Sequence, residues 1–249
     1  MIVNDRFKDK IVLITGATSG IGRAAAKSFA NEGAAVLIIG RNEERAKQAV
    51  DEINAGRPCS SEFFICDISE YDSVCKLKKI ISEKYGHIDI LFNNAGIFRT
   101  GSLEQLNLQD WHESFAINVD GTMNMTKSFI DIITLGGCII NNASVSGLDS
   151  FTSGSKTYMY GASKAALIKF SKLCALNYAD RVRVNIICPG IIDTEIYTNR
   201  DFSRFIPGIP MGYVADVDAV TNAIMFLASK EASYITGAVL PIDGGMSLK

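Results

Sequence analysis

The stretch from Ile11 to Gly22, Ile-Val-Leu-Ile-Thr-Gly-Ala-Thr-Ser-Gly-Ile-Gly, constrains the fold more than any other. Its first four residues are apolar without alternation, which reads as a strand buried on both faces. Glycines follow at Gly16, Gly20 and Gly22, and Arg23 to Asn31 carries a helical pattern that ends near Gly33. Strand, glycine turn and helix in immediate succession make a phosphate cradle. The glycines let the backbone approach a pyrophosphate, and the helix start offers unpaired N–H groups. A glycine triplet alone can be an ordinary tight turn, but the strand before it and the helix after it point to a dinucleotide.

The pattern then repeats. Ala35 to Gly40 reads as a strand, Glu43 to Asn54 as a helix capped at Asn42, with Gly56-Arg57-Pro58 as its stop. Glu62 to Cys66 is a strand ending on Asp67, Tyr71 to Tyr85 a helix, and Ile88 to Phe92 a strand ending in Asn93-Asn94-Ala95-Gly96. Asp110 to about Ile133 reads as one long helix, although Asn118 and Gly121 are poor residues for its middle and call for a packing or functional reason. Cys138 to Ala143 is a strand that delivers Ser144, and Val145 to Thr157 loops to a helix opening near Tyr160. Repeated β-α units with near-continuous apolar strands predict an α/β fold, a Rossmann-type doubly wound parallel sheet with helices on both faces. Without linkers or repeats, residues 1–249 read as a single domain.

Charge and cysteine usage exclude several classes. With 25 basic and 27 acidic side chains, the net charge of −2 leaves no footprint for nucleic acid. Apolar runs are only strand-sized and the start of the chain lacks an export signal, so the expectation is a cytoplasmic protein with no membrane span. The six cysteines form no C-x-x-C, and His87 and His112 stand apart, so no metal site is expected.

Tyr160 and Lys164 lie four residues apart, one helical turn, which sets the phenol beside the ammonium. Using a tyrosine as an acid/base near pH 7 requires a shift of about three units, roughly 4 kcal/mol. A desolvated cation one turn away favours the phenolate and supplies such a shift. A bare Tyr-x-x-x-Lys is more often just a half-buried ring with a lysine stem along it, so other motifs must decide.

They do so together. Thr15-Gly-x-x-x-Gly-x-Gly22, Asn93-Asn-Ala-Gly96, Asn118, Ser144, Tyr160-x-x-x-Lys164, Pro189-Gly190 after a strand and Asp243-Gly-Gly245 stand in order. Over essentially its whole length the chain resembles the short-chain dehydrogenases/reductases, in the branch of about 250 residues. The resemblance implies a catalytic set of Asn118, Ser144, Tyr160 and Lys164. Tyr160 exchanges the proton, Lys164 lowers the tyrosine pKa and holds the nicotinamide ribose, and Ser144 binds the substrate oxygen. Asn118 binds a water linking Lys164 to solvent. It also implies that Thr18, Ser19 and Ile21 line the phosphates, Asp67 and Ile68 the adenine, Asn94 the adenosine ribose, and Ile192 and Thr194 the nicotinamide carboxamide.

Cofactor choice turns on Gly40-Arg41. An NAD site wants an acidic residue at the end of the second strand, whereas an arginine there can pair with a 2′-phosphate. The expectation is NADP(H) over NAD(H), with Glu43 and Glu44 as complicating charges.

The segment 191–214 is expected as a lid over the substrate. Its apolar residues, among them Ile191, Ile196, Tyr197, Phe202, Phe205 and Tyr213, suggest a hydrophobic ketone or alcohol. Arg200 and Arg204 are read as facing water rather than an acidic substrate group. The closest generic resemblance is to 3-oxoacyl-carrier-protein reductases. The turn Thr134-Leu135-Gly136-Gly137 lacks the basic residue that would steer an acidic carrier, which favours a free, steroid-like ketone. The Ser144–Tyr160 loop is a few residues longer than in most relatives and should reshape the substrate mouth. A non-catalytic redox sensor is disfavoured, since all four catalytic positions are kept. A homotetramer built through the long helices and the strand Ala238 to Ile242 is implied by the resemblance.

Overall fold

Side-chain alternation in the strands explains why this chain must be covered on both sides. In the computed structural model, which describes residues 5–55, 61–152, 156–195 and 201–249, Val12, Ile14, Val36, Ile38, Ile90 and Phe92 face one way. Leu13, Leu37, Ile39, Leu91 and Ile139 face the other. Both sets are apolar and buried, so neither face of the sheet can meet water.

The strands are β1 (Ile11–Thr15), β2 (Ala35–Gly40), β3 (Glu62–Ile65), β4 (Ile88–Asn93), β5 (Ile133–Asn142), β6 (Arg183–Pro189) and β7 (Val239–Ile242). They form one sheet in the order β3-β2-β1-β4-β5-β6-β7, with every pair parallel. The helices are α1 (Gly20–Asn31), α2 (Glu43–Asn54), α3 (Tyr71–Tyr85), α4 (Leu108–Phe115), α5 (Gly121–Phe129), α6 (Tyr158–Asn177) and α7 (Val217–Ala228). Phe29 of α1, Ala49 and Ile53 of α2 and Val220 and Ile224 of α7 cover the first face. Val74, Leu77 and Ile81 of α3, Met125 and Phe129 of α5 and Cys174 of α6 cover the second. Each such aliphatic or phenyl side chain contributes about 1.5–3 kcal/mol on burial. Truncating the fully buried Phe92 to Ala should cost about 3–5 kcal/mol, because the centre of the sheet cannot collapse onto the void.

The doubly wound reading holds, and the order of strands fixes where a ligand can go. Strand order reverses between β1 and β4, so the crevice opens beyond their carboxyl ends. Gly16 follows β1 there, and Asn94, Ala95 and Gly96 follow β4. Gly16 has φ +65°, and a Cβ on it would lie 2.8 Å from Ala95 Cα, so only glycine permits the two strand ends to approach this closely.

Several boundaries differ from the sequence expectations. Helix α1 starts inside the glycine motif, at Gly20 rather than Arg23. The long helix expected over 110–133 is divided: α4 runs into one π turn, Ala116–Asp120, then α5 ends at Phe129. Ile133 already pairs with Ile88 in the sheet, so β5 begins well before Cys138. The wide turn carries Asn118 inward, where its side chain accepts from Ile97 N at 2.8 Å and donates to Ile97 O at 3.1 Å and Ser163 Oγ at 3.0 Å. Gly121 has a packing reason, since a Cβ there would lie 2.6 Å from Ile68 Cδ1. Asn42 caps α2 as expected, accepting from Arg45 N at 2.9 Å.

The Gly56-Arg57-Pro58 stop, Cys59, and Ile196, Tyr197 and Arg200 of the lid lie outside the described residues. Among the described residues, no helix is long and apolar enough to cross a membrane, and no three His, Cys, Asp or Glu side chains come together as metal ligands.

Candidate active site

Two cavities meet beyond the carboxyl ends of the strands. The first, about 780 Å³, runs over the glycine turn; Gly16, Thr18, Ser19, Gly20, Ile21, Arg41, Asp67, Ile68, Asn94 and Thr194 all line it. The second, about 670 Å³, holds Ser144, Tyr160, Lys164, Ile192 and Thr194. Ile21, Asn94, Gly96, Ile97 and Thr194 border both. Nearly every residue singled out from the sequence therefore falls on one continuous trough. Gly22 is an exception: it lines neither cavity, and a Cβ on it would lie 2.4 Å from Asn94 Nδ2, so its part is packing. Asn118 also lines neither; a Cβ on Gly96 would lie 3.0 Å from Asn118 Oδ1 and 3.4 Å from Lys164 Nζ, so glycine there lets both pack close.

Asn94 is held rigidly. Its Nδ2 donates to Thr15 O at 3.2 Å and Gly16 O at 3.0 Å, and its Oδ1 accepts from Asn142 Nδ2 at 2.9 Å. At the adenosine end Arg41 Nη1 lies 3.6 Å from Asp67 Oδ2. Burial opposes ionisation of the Asp67 carboxyl, but hydrogen bonds from Ser69 and the Arg41 charge together hold it below its ordinary value. Arg23, Arg45 and Gln48 line the same cavity and were missed by sequence reasoning. For Arg45 a signal existed, since it stands one helical turn past Arg41, at the third position of a capped helix. Glu195 was missed as well; its Oε2 accepts from Gly20 N at 2.9 Å, across the cradle.

The catalytic cavity is apolar, with Phe98, Val145, Phe151, Ile191, Phe205 and Met246 in its wall. Lys164 is 3% exposed, and its Nζ donates to Asn142 O at 2.7 Å and lies 5.6 Å from the centre of the Tyr160 ring. Burial pushes its pKa down to about 8, so it stays largely charged at neutral pH. The neighbouring Cys188 thiol is pushed up to about 12 by burial, which keeps it neutral beside that ammonium. Phe98 stands edge-on to Tyr160, centroids 4.8 Å apart at 84°. Ser144 is 7% exposed and accepts from Ser146 N at 3.2 Å. The long loop after it is tied down where Gly101 N donates to Lys156 O at 2.8 Å, and its Phe151 enters the cavity wall.

Of the described lid residues, Ile191, Ile192, Thr194, Arg204 and Phe205 line the cavity, and Ile192 also packs into the core. Met211 and Tyr213 are exposed instead. Thr134–Gly137 open β5, whereas Ser144 follows its carboxyl end; at about 3.3 Å per residue they lie at opposite ends of that strand. The missing basic residue there consequently says nothing about what docks at the site.

Could the trough take a dinucleotide? Its glycines leave room that a Cβ would fill, its wall offers a helix start, and three arginines line it. The residues fit such a group.

Comparison with known proteins agrees. Residues 16–247 match a family model described as enoyl-(acyl carrier protein) reductase. The chain is 35% identical over 246 residues to the meso-2,3-butanediol dehydrogenase of Serratia marcescens, covering 96% of this chain and 95% of that protein. It is 36% identical over 247 residues to a 3-oxoacyl-[acyl-carrier-protein] reductase of Thermotoga maritima, 97% and 99% covered. With the 2,5-dichloro-2,5-cyclohexadiene-1,4-diol dehydrogenase of Sphingobium indicum it shares 39% over 250 residues, 98% of each. Among solved structures, a short-chain dehydrogenase/reductase from Mycobacterium marinum superposes with a TM-score of 0.92 at 31% identity, covering 99% of this chain and 98% of that one. A short chain dehydrogenase from Burkholderia cenocepacia in complex with NADP gives 0.89 at 31%, covering 97% and 99%.

Proposed function

The chain belongs to the short-chain dehydrogenase/reductase family, and from that premise we propose that it interconverts a ketone and a secondary alcohol on a hydrophobic small molecule, using NADP(H) in preference to NAD(H). One observation carries the reading: Ser144, Tyr160 and Lys164 share an apolar cavity that is continuous with the glycine cradle.

When bound, the nicotinamide supplies the hydride. In this reading Tyr160 gives its phenolic proton to the carbonyl oxygen during reduction and takes it back from the alcohol in oxidation. Lys164, a buried cation one turn away, favours the phenolate and so eases both directions. Ser144 Oγ–H donates to the substrate oxygen, where negative charge develops among largely apolar walls. Asn118 acts through others, holding the backbone of Ile97, which borders both cavities, and the Ser163 hydroxyl behind them. Asn94, clamped between β1 and β5, fixes the wall shared by both cavities. Arg41, with Arg45 beside it, would receive the 2′-phosphate.

A second reading, reduction of a 3-oxoacyl thioester on a carrier protein, is favoured by the 36% identity to the Thermotoga reductase. The homotetramer belongs to the same proposal, supported by Leu173 and Leu176 of α6 at 48% and 76% exposure; light scattering tests it.

The deciding experiment is Tyr160→Phe, which removes only the hydroxyl. Cofactor binding should survive while turnover of a ketone panel falls at least about 10²-fold. Near wild-type turnover would refute the mechanism. Cofactor binding without turnover in the unaltered protein would mark a sensor.

A further inference from the structure

The walls of the catalytic cavity carry one sign of charge. Among the described residues, Lys164 and Arg204 line it, and no aspartate or glutamate does. Lys164 is committed: it is buried, and its ammonium is bonded to Asn142 O. Arg204 is free of that duty. It stands on the lid, with its guanidinium carbon 4.5 Å from the centre of the Phe205 ring, which lines the same cavity. Among the described residues it forms no ion pair; Asp201 lies close enough to feel its charge but accepts from Ser203 N at 3.0 Å. A guanidinium lying on an aromatic face keeps its N–H edge open, and that edge is weakly hydrated and suited to a carboxylate or phosphate.

We propose that the substrate is an apolar oxo compound bearing an anionic group, a carboxylate or a phosphate, which Arg204 receives at the mouth while the carbonyl sits at Ser144 and Tyr160. The inference rests on the ketone–alcohol reading and names the substrate class within it. Arg204 is exposed, as expected, and to that adds a role at the mouth of the cavity that it also lines. The body of such a substrate lies against Phe98, Val145, Phe151, Ile191 and Phe205.

The test compares wild type, Arg204→Gln and Arg204→Lys on benzylacetone and on its para-carboxylate, in low salt. Wild type should favour the carboxylate. Arg204→Gln should lower kcat/KM for the carboxylate roughly tenfold, through KM, and leave the neutral ketone within about twofold. Arg204→Lys should recover part of the loss. Acetoacetyl pantetheine thioester with and without its phosphate forms the second arm. An Arg204-dependent preference there, and not for the carboxylate, assigns the anion to a phosphate. Equal effects of Arg204→Gln on charged and neutral partners in both arms overturn the proposal. Titration of para-butylbenzoate and of pantetheine phosphate, neither of which has a ketone to reduce, separates this from the reaction. Weaker binding of either in Arg204→Gln upholds the anion site even where no ketone turns over, and unchanged binding of both overturns it.

Discussion

Glu195 Oε2 accepts a hydrogen bond from Gly20 N at 2.9 Å, which places a carboxylate from the lid on the first N–H of α1. Ser19, the capping residue of that helix, gives no side-chain bond, so Glu195 supplies a cap from 175 positions away. A helix start attracts anions, and a pyrophosphate in the cradle would compete for the same positive end. Glu195 and the phosphates also repel each other.

Glu195→Gln should therefore bind NADPH more tightly. Two charges about 4 Å apart at the surface interact by about 1 kcal/mol in water, which corresponds to roughly a fivefold lower Kd. The gain should shrink as salt is raised, because the pair is exposed. Fluorescence titration at two ionic strengths checks both points. An unchanged Kd at low salt would mean that Glu195 leaves the cradle without cost.

Lys164→Met tests the buried cation twice. Cofactor affinity should fall and the activity-linked pKa should rise, since the charge that favours phenolate is lost. Stability should move the other way. The native pKa of about 8 lies below the unfolded value of about 10.4, so the native state binds fewer protons between them. The burial penalty is thus fully present below about pH 8 and fades as pH rises toward 10. Denaturant midpoints should show Lys164→Met more stable at pH 7 by about 1–3 kcal/mol, the lost bond to Asn142 O offsetting part of the gain, and less so at pH 10. A stability difference that does not vary with pH would contradict the buried charge.

Gly16→Ala should be among the costliest single-methyl additions in the chain. The position needs φ +65°, and the new methyl would meet the backbone of Ala95 at 2.8 Å. The left-handed conformation alone costs about 1–2 kcal/mol, and moving the β4 end away from β1 displaces Asn94 as well. NADPH binding should drop beyond detection while the far-ultraviolet spectrum stays native. Retained binding would show that the two strand ends do not form the cradle.

How much of this was legible beforehand follows from range. Strands of unbroken apolar residues, the glycine turn and the Tyr160–Lys164 spacing are local signals, and each is found in the fold, with β5 starting earlier and α1 starting inside the glycine turn. The single helix over 110–133 was misread because helical periodicity continues through a π turn. What interrupts it is Asn118 reaching Ile97, a contact invisible along the sequence. Gly121 was flagged as odd, yet Ile68, the side chain that requires it, lies 53 positions away. Glu195, Asn142 and Arg204 were missed or undervalued for the same reason: each acquires its meaning from a partner or cavity that only the folded sheet assembles.

The choice between cofactors rests on the arginines at the end of β2. Gly40 leaves no carboxylate on that strand to hold a ribose 2′-hydroxyl. Arg41, 61% exposed along its side chain, is drawn toward Asp67 at 3.6 Å, and Arg45 and Arg23 share the cavity. A 2′-phosphate would take Arg41 from an exposed ion pair of little value into a charge-assisted bond of about 1.5–3 kcal/mol. NADPH should then exceed NADH by roughly 10- to 150-fold in kcat/KM. Arg41→Ala should remove about tenfold of that and leave NADH nearly unchanged, and Arg45→Ala should remove less. The Asp67→Asn variant should widen the preference, by freeing Arg41 and removing a charge that repels the phosphate. Kinetics with both cofactors on wild type come first. Equal values, or a preference for NADH, would show that Arg41 serves Asp67 alone.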